Sequence, residues 1–448
     1  MSSYSVPDPK IGPGRRPVGG VGSARPSRRR PDGTPDDDDR VEIGPTPLAF
    51  REWEEAGVRA PDLEALRAYR LERLRGELRR NDCAGLLLFD PLNIRYATDT
   101  TNMQVWITHN SSRACFIATE GPVVLFEYRQ AMHLADHLPL VDEVRPAIPF
   151  FYFSSAERTE EMAGRFAVEI DELLRAHGGG NRRLAVDKME IAGVRAFDRL
   201  GIDIRNGQRV TEHARKIKDA NEVDAMRCAM VACENAMREM RRLMRPGMTE
   251  NDLWAVLHVE NVRRGGEWIE TRLLSSGPRT NPWFQECGPR VMKEGDTVAF
   301  DTDLIGPYGY CVDVSRTWIC GEGRATDEQR ELNEVARRHI AFNLELLRPG
   351  LGFAELTEKS HRLPERFRAG RYGVIAHGTG LCDEYPSIKY PEDYAGSGWD
   401  GVFEPGMMVS VEAYVGAEGG SCGVKLEEQA LVTETGHELI SSYPLEDW

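Results

Sequence analysis

The sequence predicts an α/β (α+β) chain of two domains, the second of which is built from two similar halves. Residues 49–215 alternate between helical patterns and short apolar runs, which is typical of an α/β domain. A long amphipathic pattern then begins near Lys218, and the elements that follow it occur twice in the same order. The 448 residues fit two or three domains of roughly 150 residues each.

The first segment, residues 1–45, differs in composition from the rest of the chain. It is rich in Pro, Gly, Arg and Ser and becomes acidic at Asp36–Asp39. Such a segment cannot bury enough apolar surface to offset the loss of chain entropy on folding. We therefore predict a flexible N-terminal arm over these residues.

Residues 46–215 are predicted to form the first domain. A helix over Leu63–Leu78 leads into a strand over Gly85–Asp90, and Asp90–Asn93 supplies the turn after it. Further apolar runs predict strands at Ala114–Ile117, Val123–Tyr128 and Leu184–Val186.

Residues 216–448 are predicted to form the second domain, which begins with a long helix. Its apolar residues recur at spacings of three and four: Val223, Met226, Met230, Cys233, Met237, Met240 and Met244. This stripe is interpreted as a core-facing surface rather than a metal-binding thioether surface. The helix is expected to stop at Arg245-Pro246-Gly247, because proline cannot continue the helical hydrogen bonds.

An internal repeat indicates that this domain has pseudo-two-fold symmetry. The Arg245-Pro246-Gly247 sequence returns as Arg348-Pro349-Gly350. Gly295 and Gly406 each precede, by six residues, an acid within an apolar strand. Each half thus contains a helix, an Arg-Pro-Gly stop, a second helix and a strand that carries an acid, which predicts a site between the halves.

Composition excludes several classes of partner. The net charge of −15 would repel phosphate groups, so we expect no nucleic-acid partner and no membrane partner. The longest apolar runs, such as Ala84–Phe89, are far too short to span a bilayer. The arginines near the N-terminus are followed by no apolar stretch, and the nine cysteines are scattered without a C-x-x-C pair. These features predict a reduced, cytoplasmic enzyme.

The chemistry of the second domain rests on acids and one histidine placed in apolar strands. The candidate ligands are Asp301, Asp303, Asp313, His377, Glu412 and Glu427. Asp301 and Asp303 are two residues apart in one apolar strand, so strand alternation predicts that they share a face. Buried carboxylates are costly unless cations neutralise them, and this oxygen-rich set with one imidazole suits two divalent ions. Iron is our first candidate, with zinc, manganese or cobalt as alternatives. Pairing with Lys425 or Arg316 could explain any single acid, but the set together favours metal binding.

These residues resemble the pita-bread fold of methionine aminopeptidases, prolidases and creatinases. The pattern of two spaced aspartates, His-Gly, Glu and Lys-Leu-Glu-Glu carries the resemblance, and the two-domain layout resembles the creatinase and prolidase branch. The resemblance implies a C-terminal pita-bread domain and a homodimer. The ligands that it implies are Asp303 (or Asp301), Asp313, His377, Glu412 and Glu427. It also implies that Asp313 and Glu427 bridge the two ions.

Two departures from the peptidase pattern concern histidines. The peptidases carry a second histidine downstream of the first, where this chain has Asp383, and another histidine for which residues 276–286 offer no counterpart. Peptide hydrolysis develops an oxyanion, which a carboxylate would repel. An Xaa-Pro dipeptidase or creatinase-type hydrolase is therefore kept only as an alternative function. A non-catalytic binding module is a further alternative.

Longer motifs resemble the DddP-type dimethylsulfoniopropionate lyases. They lie at residues 90–99, 275–286, 300–304 and 380–384. The resemblance implies a metal-dependent carbon–sulfur lyase that splits this small zwitterionic sulfonium into dimethyl sulfide and acrylate by β-elimination. Asp383 is then the expected base. The cationic sulfonium is expected to sit among aromatic faces, and Trp283, Phe284 and Tyr372 lie near the motifs. Trp283 and Tyr372 are the predicted substrate-binding residues, although core packing would also explain each of the three rings.

Overall fold

The structure is a computed structural model that describes residues 16–17 and 43–446 of the chain. The predicted N-terminal arm lies almost entirely outside the described residues. Two compact units are present: one contains Leu63–Arg215, and the other contains Ile43–Asp62 together with Lys216–Trp448. Residues 46–62 are predicted to belong to the first domain, whereas the structure groups them with the second unit. Trp53 explains this grouping, because its indole nitrogen donates a 2.9 Å hydrogen bond to the carbonyl oxygen of Cys228.

The strands, in chain order, are β1 (Arg16–Pro17), β2 (Gly85–Leu88), β3 (Ala114–Ala118), β4 (Val123–Glu127), β5 (Glu143–Pro146), β6 (Arg183–Val186), β7 (Asp203–Asn206), β8 (Leu274–Ser276), β9 (Thr297–Asp301), β10 (Leu304–Ile305), β11 (Cys311–Val312), β12 (Ser315–Ile319), β13 (Ala376–Thr379), β14 (Asp383–Ile388), β15 (Met408–Gly416), β16 (Gly423–Val432) and β17 (His437–Leu439).

The α-helices, in chain order, are α1 (Pro47–Glu55), α2 (Leu63–Arg80), α3 (Pro91–Thr98), α4 (Gln104–Ile107), α5 (Tyr152–Ser155), α6 (Thr159–His177), α7 (Ile191–Arg199), α8 (Gly207–Arg215), α9 (Ala220–Leu243), α10 (Glu250–Arg263), α11 (Asp327–Leu346), α12 (Phe353–Lys359), α13 (Glu365–Arg368) and α14 (Pro391–Ser397). None of the helices in the described part of the chain is both long enough and apolar enough to cross a membrane.

The first unit contains a seven-stranded mixed sheet in the order β1-β5-β4-β3-β2-β6-β7. Strands β2, β6 and β7 run parallel to one another, whereas β3 pairs antiparallel with both β2 and β4. The core of this unit contains sheet residues such as Leu87 and Phe126 and helix residues such as Phe166 and Phe197. The predicted helix is α2, and the predicted strands correspond to β2, β3, β4 and β6.

The segment after β2 differs from its prediction. Instead of a turn over Asp90–Asn93, helix α3 begins at Pro91, and the side chain of Asp90 accepts the backbone N–H of Leu92. An aspartate at the N-cap followed by proline at the first helical position is a start signal for a helix, and we interpreted it as a turn. The buried carboxylate of Asp187 holds this start, because it accepts the backbone N–H groups of Phe89 and Asp90.

The second unit shows the predicted repeat in its hydrogen bonds. Gly247 follows α9 and donates a 2.9 Å backbone hydrogen bond to Met292, and Gly350 follows α11 and donates a 2.9 Å bond to Phe403. Both glycines have positive φ angles, of 94° and 81°, which favour glycine over other residues. The two Arg-Pro-Gly sequences therefore close equivalent turns in the two halves.

The two halves provide separate sheets, which side-chain hydrogen bonds connect. The first half has the order β12-β9-β8, and the second has the order β14-β13-β15-β16-β17. Strand β12 lies beside β16, because Oγ1 of Thr317 donates to the carbonyl oxygen of Lys425 over 2.8 Å and accepts its N–H over 3.0 Å. This contact brings the acids of both halves to one place.

Candidate metal centre

Six side chains, three from each half of the second unit, converge at the contact between the two sheets. Asp301 ends β9, Asp303 precedes β10, Asp313 separates β11 from β12, His377 lies in β13, Glu412 in β15 and Glu427 in β16. Glu412 and Glu427 are directly opposite each other in the β15–β16 pairing. All six side chains are buried, so the acids are not a solvated surface.

Asp301 and Asp303 reach the site in a different way from the one predicted. We expected alternation along one strand to place them on the same face, but β9 ends at Asp301 and Asp303 has a φ angle of 34°. The prediction that strand alternation places these two side chains on one face is therefore wrong, because the strand ends before Thr302. The two carboxylates nevertheless lie in one group with that of Asp313, within 4.8 Å of one another.

The other ligand groups overlap with this one. The groups Asp313–His377–Glu427 and Asp301–Glu412–Glu427 also have ligand atoms within 4.8 Å of one another. Nε2 of His377 lies 3.1 Å from Oδ2 of Asp313 and 3.3 Å from Oε1 of Glu427. Asp301, Asp313 and Glu427 each belong to two of the three groups, so neighbouring groups share a carboxylate.

Lys425, predicted only as a possible partner of a single acid, lies at the centre of the cluster. Its ammonium lies 2.9 Å from Oδ2 of Asp301, 2.8 Å from Oε2 of Glu412 and 2.9 Å from Oε2 of Glu427. It also donates a 2.7 Å hydrogen bond to Oγ of Ser315. Lys425 precedes Glu427 by two residues in β16, so strand alternation puts both on one face, and this signal was available in the sequence.

The electrostatics follow from burial and crowding. Burial and the neighbouring carboxylates raise the pKa of Asp313 and of Asp303 well above the ordinary aspartate range. Burial raises the pKa of Glu412 to about 8 despite the nearby ammonium of Lys425. Burial also opposes ionisation of Asp301, but the Lys425 ammonium outweighs it, and the pKa of Asp301 is lowered.

The residues fit a pair of divalent cations. Oδ1 of Asp301 and Oδ1 of Asp313 are buried and have no hydrogen-bond partner among the described residues. Buried carboxylate oxygens without a partner are costly, and a cation placed among them would satisfy them. One ammonium does not neutralise five neighbouring carboxylates, so the centre can accommodate further positive charge. Five carboxylates with one imidazole are a donor set for transition-metal ions.

Asp383 lies at the rim of this centre. Its side chain is 51% exposed, and its Oδ1 lies 3.8 Å from Nδ1 of His377. The next residue, Glu384, points the other way and forms a buried ion pair with Lys218. A register shift between His377 and Gly378 in the β13–β14 pairing accompanies this geometry. A half-exposed carboxylate beside buried ligands can accept a proton from a bound substrate and pass it to water.

The aromatic residues divide between the core and the rim. Trp283, predicted to bind substrate, is buried and stacks on Tyr414 with ring centroids 5.9 Å apart. Tyr372, the other predicted residue, is partly buried, and its ring centroid lies 4.5 Å from Nζ of Lys425. Phe284, the third ring expected near the sulfonium, is 59% exposed and stacks on Tyr372 at 5.2 Å.

Comparisons with known proteins agree with this organisation. Residues 70–228 match the creatinase/prolidase N-terminal domain, and residues 224–434 match metallopeptidase family M24. The chain is 48% identical over 420 residues to the dimethylsulfoniopropionate lyase DddP of Roseovarius nubinhibens, covering 93% of this chain and 94% of that one. The dimethylsulfoniopropionate lyase DddP of Roseobacter denitrificans gives the same identity and the same coverage, 48% over 93% and 94%.

A solved structure supports the fold. The Xaa-Pro dipeptidase from Bacillus anthracis superposes with a TM-score of 0.68 at 21% identity, covering 84% of this chain and 98% of that one. At this identity the likeness concerns the fold alone. The predicted fold class, a creatinase/prolidase-like chain with a C-terminal pita-bread domain, is confirmed.

Proposed function

We propose, from the premise that the chain belongs to the family of the DddP dimethylsulfoniopropionate lyases, that it cleaves dimethylsulfoniopropionate into dimethyl sulfide and acrylate. The chain is an enzyme of the carbon–sulfur lyase class. The observation that carries the proposed mechanism is the half-exposed carboxylate of Asp383, 3.8 Å from the buried His377 at the rim of the carboxylate cluster.

The metal requirement forms part of the proposal. Asp301, Asp303, Asp313, His377, Glu412 and Glu427 would hold two divalent ions, with iron as the first candidate and zinc, manganese or cobalt as alternatives. When bound, such ions supply Lewis-acid stabilisation of the substrate carboxylate as negative charge develops beside it. The family resemblance implies that Asp313 and Glu427 would serve both ions. Each belongs to two of the ligand groups, as Asp301 also does.

Asp383 acts as the base in this mechanism. Its carboxylate removes the proton from the carbon next to the substrate carboxylate, and the C–H electron pair becomes the new carbon–carbon double bond. The carbon–sulfur bond breaks with its electron pair on sulfur, so dimethyl sulfide leaves as a neutral molecule. No acid has to protonate this leaving group. Asp383 is half exposed and can return its proton to solvent after each turnover.

The hydrolase alternative finds less support at the same position. A peptidase needs a group that stabilises an oxyanion, and the carboxylate of Asp383 would repel one. Headspace detection of dimethyl sulfide from purified protein, with a proline dipeptide assayed in parallel, separates the two functions. Release of dimethyl sulfide without dipeptide cleavage supports the lyase. Dipeptide cleavage without dimethyl sulfide would refute it.

We also propose a homodimer that functions in the cytoplasm. The family resemblance supports the dimer, and nine cysteines without a disulfide among the described residues support a reducing compartment. Sedimentation of the purified protein tests the dimer, and a mass equal to one chain contradicts it. Fractionation of the producing cells tests the compartment.

A further inference from the structure

Phe284 combines an exposed ring with a strained backbone. Its side chain is 59% exposed and its φ angle is +72°. A bulky residue at positive φ is strained, and such strain tends to persist where the residue serves a function. Burial of the ring cannot offset this strain, because most of the ring faces solvent. The conformation instead presents the ring at the surface.

The ring of Phe284 is connected to the carboxylate cluster through two residues. It stacks on Tyr372 at a centroid distance of 5.2 Å and an interplanar angle of 28°. The ring centroid of Tyr372 lies 4.5 Å from the ammonium of Lys425, which contacts Asp301, Glu412 and Glu427. Phe284 is therefore the outermost member of an aromatic series that begins at the cluster.

The neighbouring tryptophan has no comparable access. Trp283 is 6% exposed and packs with Ala299 and Tyr414. Tyr372 already has Lys425 near its ring and Phe284 stacked on it. Among these three rings, only that of Phe284 has most of its surface in solvent, where it can receive a second cation.

We propose that Phe284 is a specificity-determining residue that binds the onium cation of the substrate, an onium group joined through a short chain to a carboxylate. This inference rests on the proposed function, since it assigns the group that would recognise the sulfonium end of the substrate. The ring quadrupole attracts a cation, and the acidic cluster to which Tyr372 and Lys425 connect this ring adds a favourable potential for positive charge.

Two inert probes of similar shape test the charge recognition. The cationic probe is 3-(trimethylammonio)propanoate, and the neutral probe is 4,4-dimethylpentanoate, in which carbon replaces the charged nitrogen. Calorimetric titration of the metal-loaded enzyme gives the ratio of their affinities. We expect Phe284→Leu, which keeps an apolar side chain but removes the ring, to reduce the preference for the cation by about three- to thirtyfold. Phe284→Tyr should retain the preference.

A matched control and a separate activity assay make the outcomes distinguishable. Phe153→Leu alters another exposed aromatic residue, in the first unit, and should leave the ratio unchanged. Since the Phe284 ring is exposed, Phe284→Leu should unfold at the wild-type temperature. An unchanged affinity ratio in Phe284→Leu would overturn the inference. Absence of dimethyl sulfide from the wild-type enzyme would instead overturn the proposed function, and the probe ratio would still decide the role of Phe284.

Discussion

Lys218 forms a buried ion pair with Glu384, the residue that follows Asp383 in the sequence. The side chains are 2% and 0% exposed, and the glutamate carboxylate lies against Gly380, where a Cβ atom would collide with it. Removing one partner of a buried pair is strongly destabilising, so the pair holds β14 in one position. Because side chains alternate along a strand, this position fixes Asp383 on the opposite face, towards His377.

Replacing Asp383 with alanine should abolish elimination without loss of fold or metal. Loss of a general base typically lowers a rate by about 10²–10⁴-fold. The measurement is dimethyl sulfide release by Asp383→Ala, with metal content and thermal unfolding measured on the same sample. Asp198→Ala, at an exposed position of α7, is the control. A variant that keeps more than about a tenth of the wild-type rate would show that Asp383 is not the base.

Removing either proposed bridging carboxylate should release most of the metal. Asp313 and Glu427, like Asp301, each lie in two of the three ligand groups, so each replacement removes a carboxylate from two groups. Elemental analysis of Asp313→Ala and Glu427→Ala should show a large decrease in iron, zinc or manganese relative to the wild type. Glu418→Ala, at an exposed position after β15, should keep the full content. Full metal retention in both cluster variants contradicts the assignment.

Lys425→Met should make the stability of the protein more dependent on metal. The variant leaves Asp301, Glu412 and Glu427 without their shared ammonium, and breaking a buried ion pair typically costs about 3–5 kcal/mol. Bound divalent ions would compensate part of this cost. Denaturant unfolding with chelator and with added metal should therefore show the larger loss under chelator. Lys359→Met, exposed on α12, is the control, and equal losses under both conditions would argue against a metal at this cluster.

His339 should contribute to acid sensitivity. Its side chain is fully buried, with Nε2 3.2 Å from the hydroxyl of Tyr390 and Nδ1 3.4 Å from Nδ1 of His361. Burial, assisted by His361, lowers its pKa from 6.5 to about 3. Between these pH values the unfolded chain binds a proton that the folded chain does not. The free energy of unfolding should therefore fall as the pH falls from 6.5 towards 3, by at most about 1.4 kcal/mol per pH unit from this group.

The variant His339→Gln isolates this contribution. Glutamine does not titrate, so the free energy of unfolding of the variant should depend less steeply on pH than that of the wild type over the same range. Denaturant unfolding at several pH values measures both slopes, and His133→Gln, in the first unit, serves as the control. Parallel slopes for the wild type and His339→Gln would assign the acid sensitivity to other groups.

Sequence patterns predict much of this fold, because local periodicity determines it. The helix that begins at Leu63 and the strands at Ala114 and Val123 begin where the apolar periodicity predicts. The break after Asp301 was not predictable, since the left-handed backbone of Asp303 depends on neighbouring strands. The grouping of residues 43–62 with the second unit likewise depends on contacts distant in sequence, such as that between Trp53 and Cys228.

The convergence of the six side chains was a reasonable expectation from their residue types, but the role of individual neighbours was not. An acid in an apolar strand indicates a buried charge, and strand alternation places Lys425 on the face of Glu427. The contact of Lys425 with Asp301 of the other half depends instead on the packing of β12 against β16. The aromatic pair Trp283 and Phe284 shows the same limit. Adjacent aromatic residues give no indication of which ring enters the core, and the positive φ of Phe284 turns its ring outward.

The repeat in the second unit has a thermodynamic consequence. Asp301, Asp303 and Asp313 come from the half closed by Gly247, and His377, Glu412 and Glu427 come from the half closed by Gly350. Neither half alone offers more than half of the proposed ligands. Free energy gained by binding ions across this boundary is therefore also free energy of association between the two halves. If the chain were divided in the segment between β12 and α11, the two fragments would bind each other in a way that depends on the metal ions.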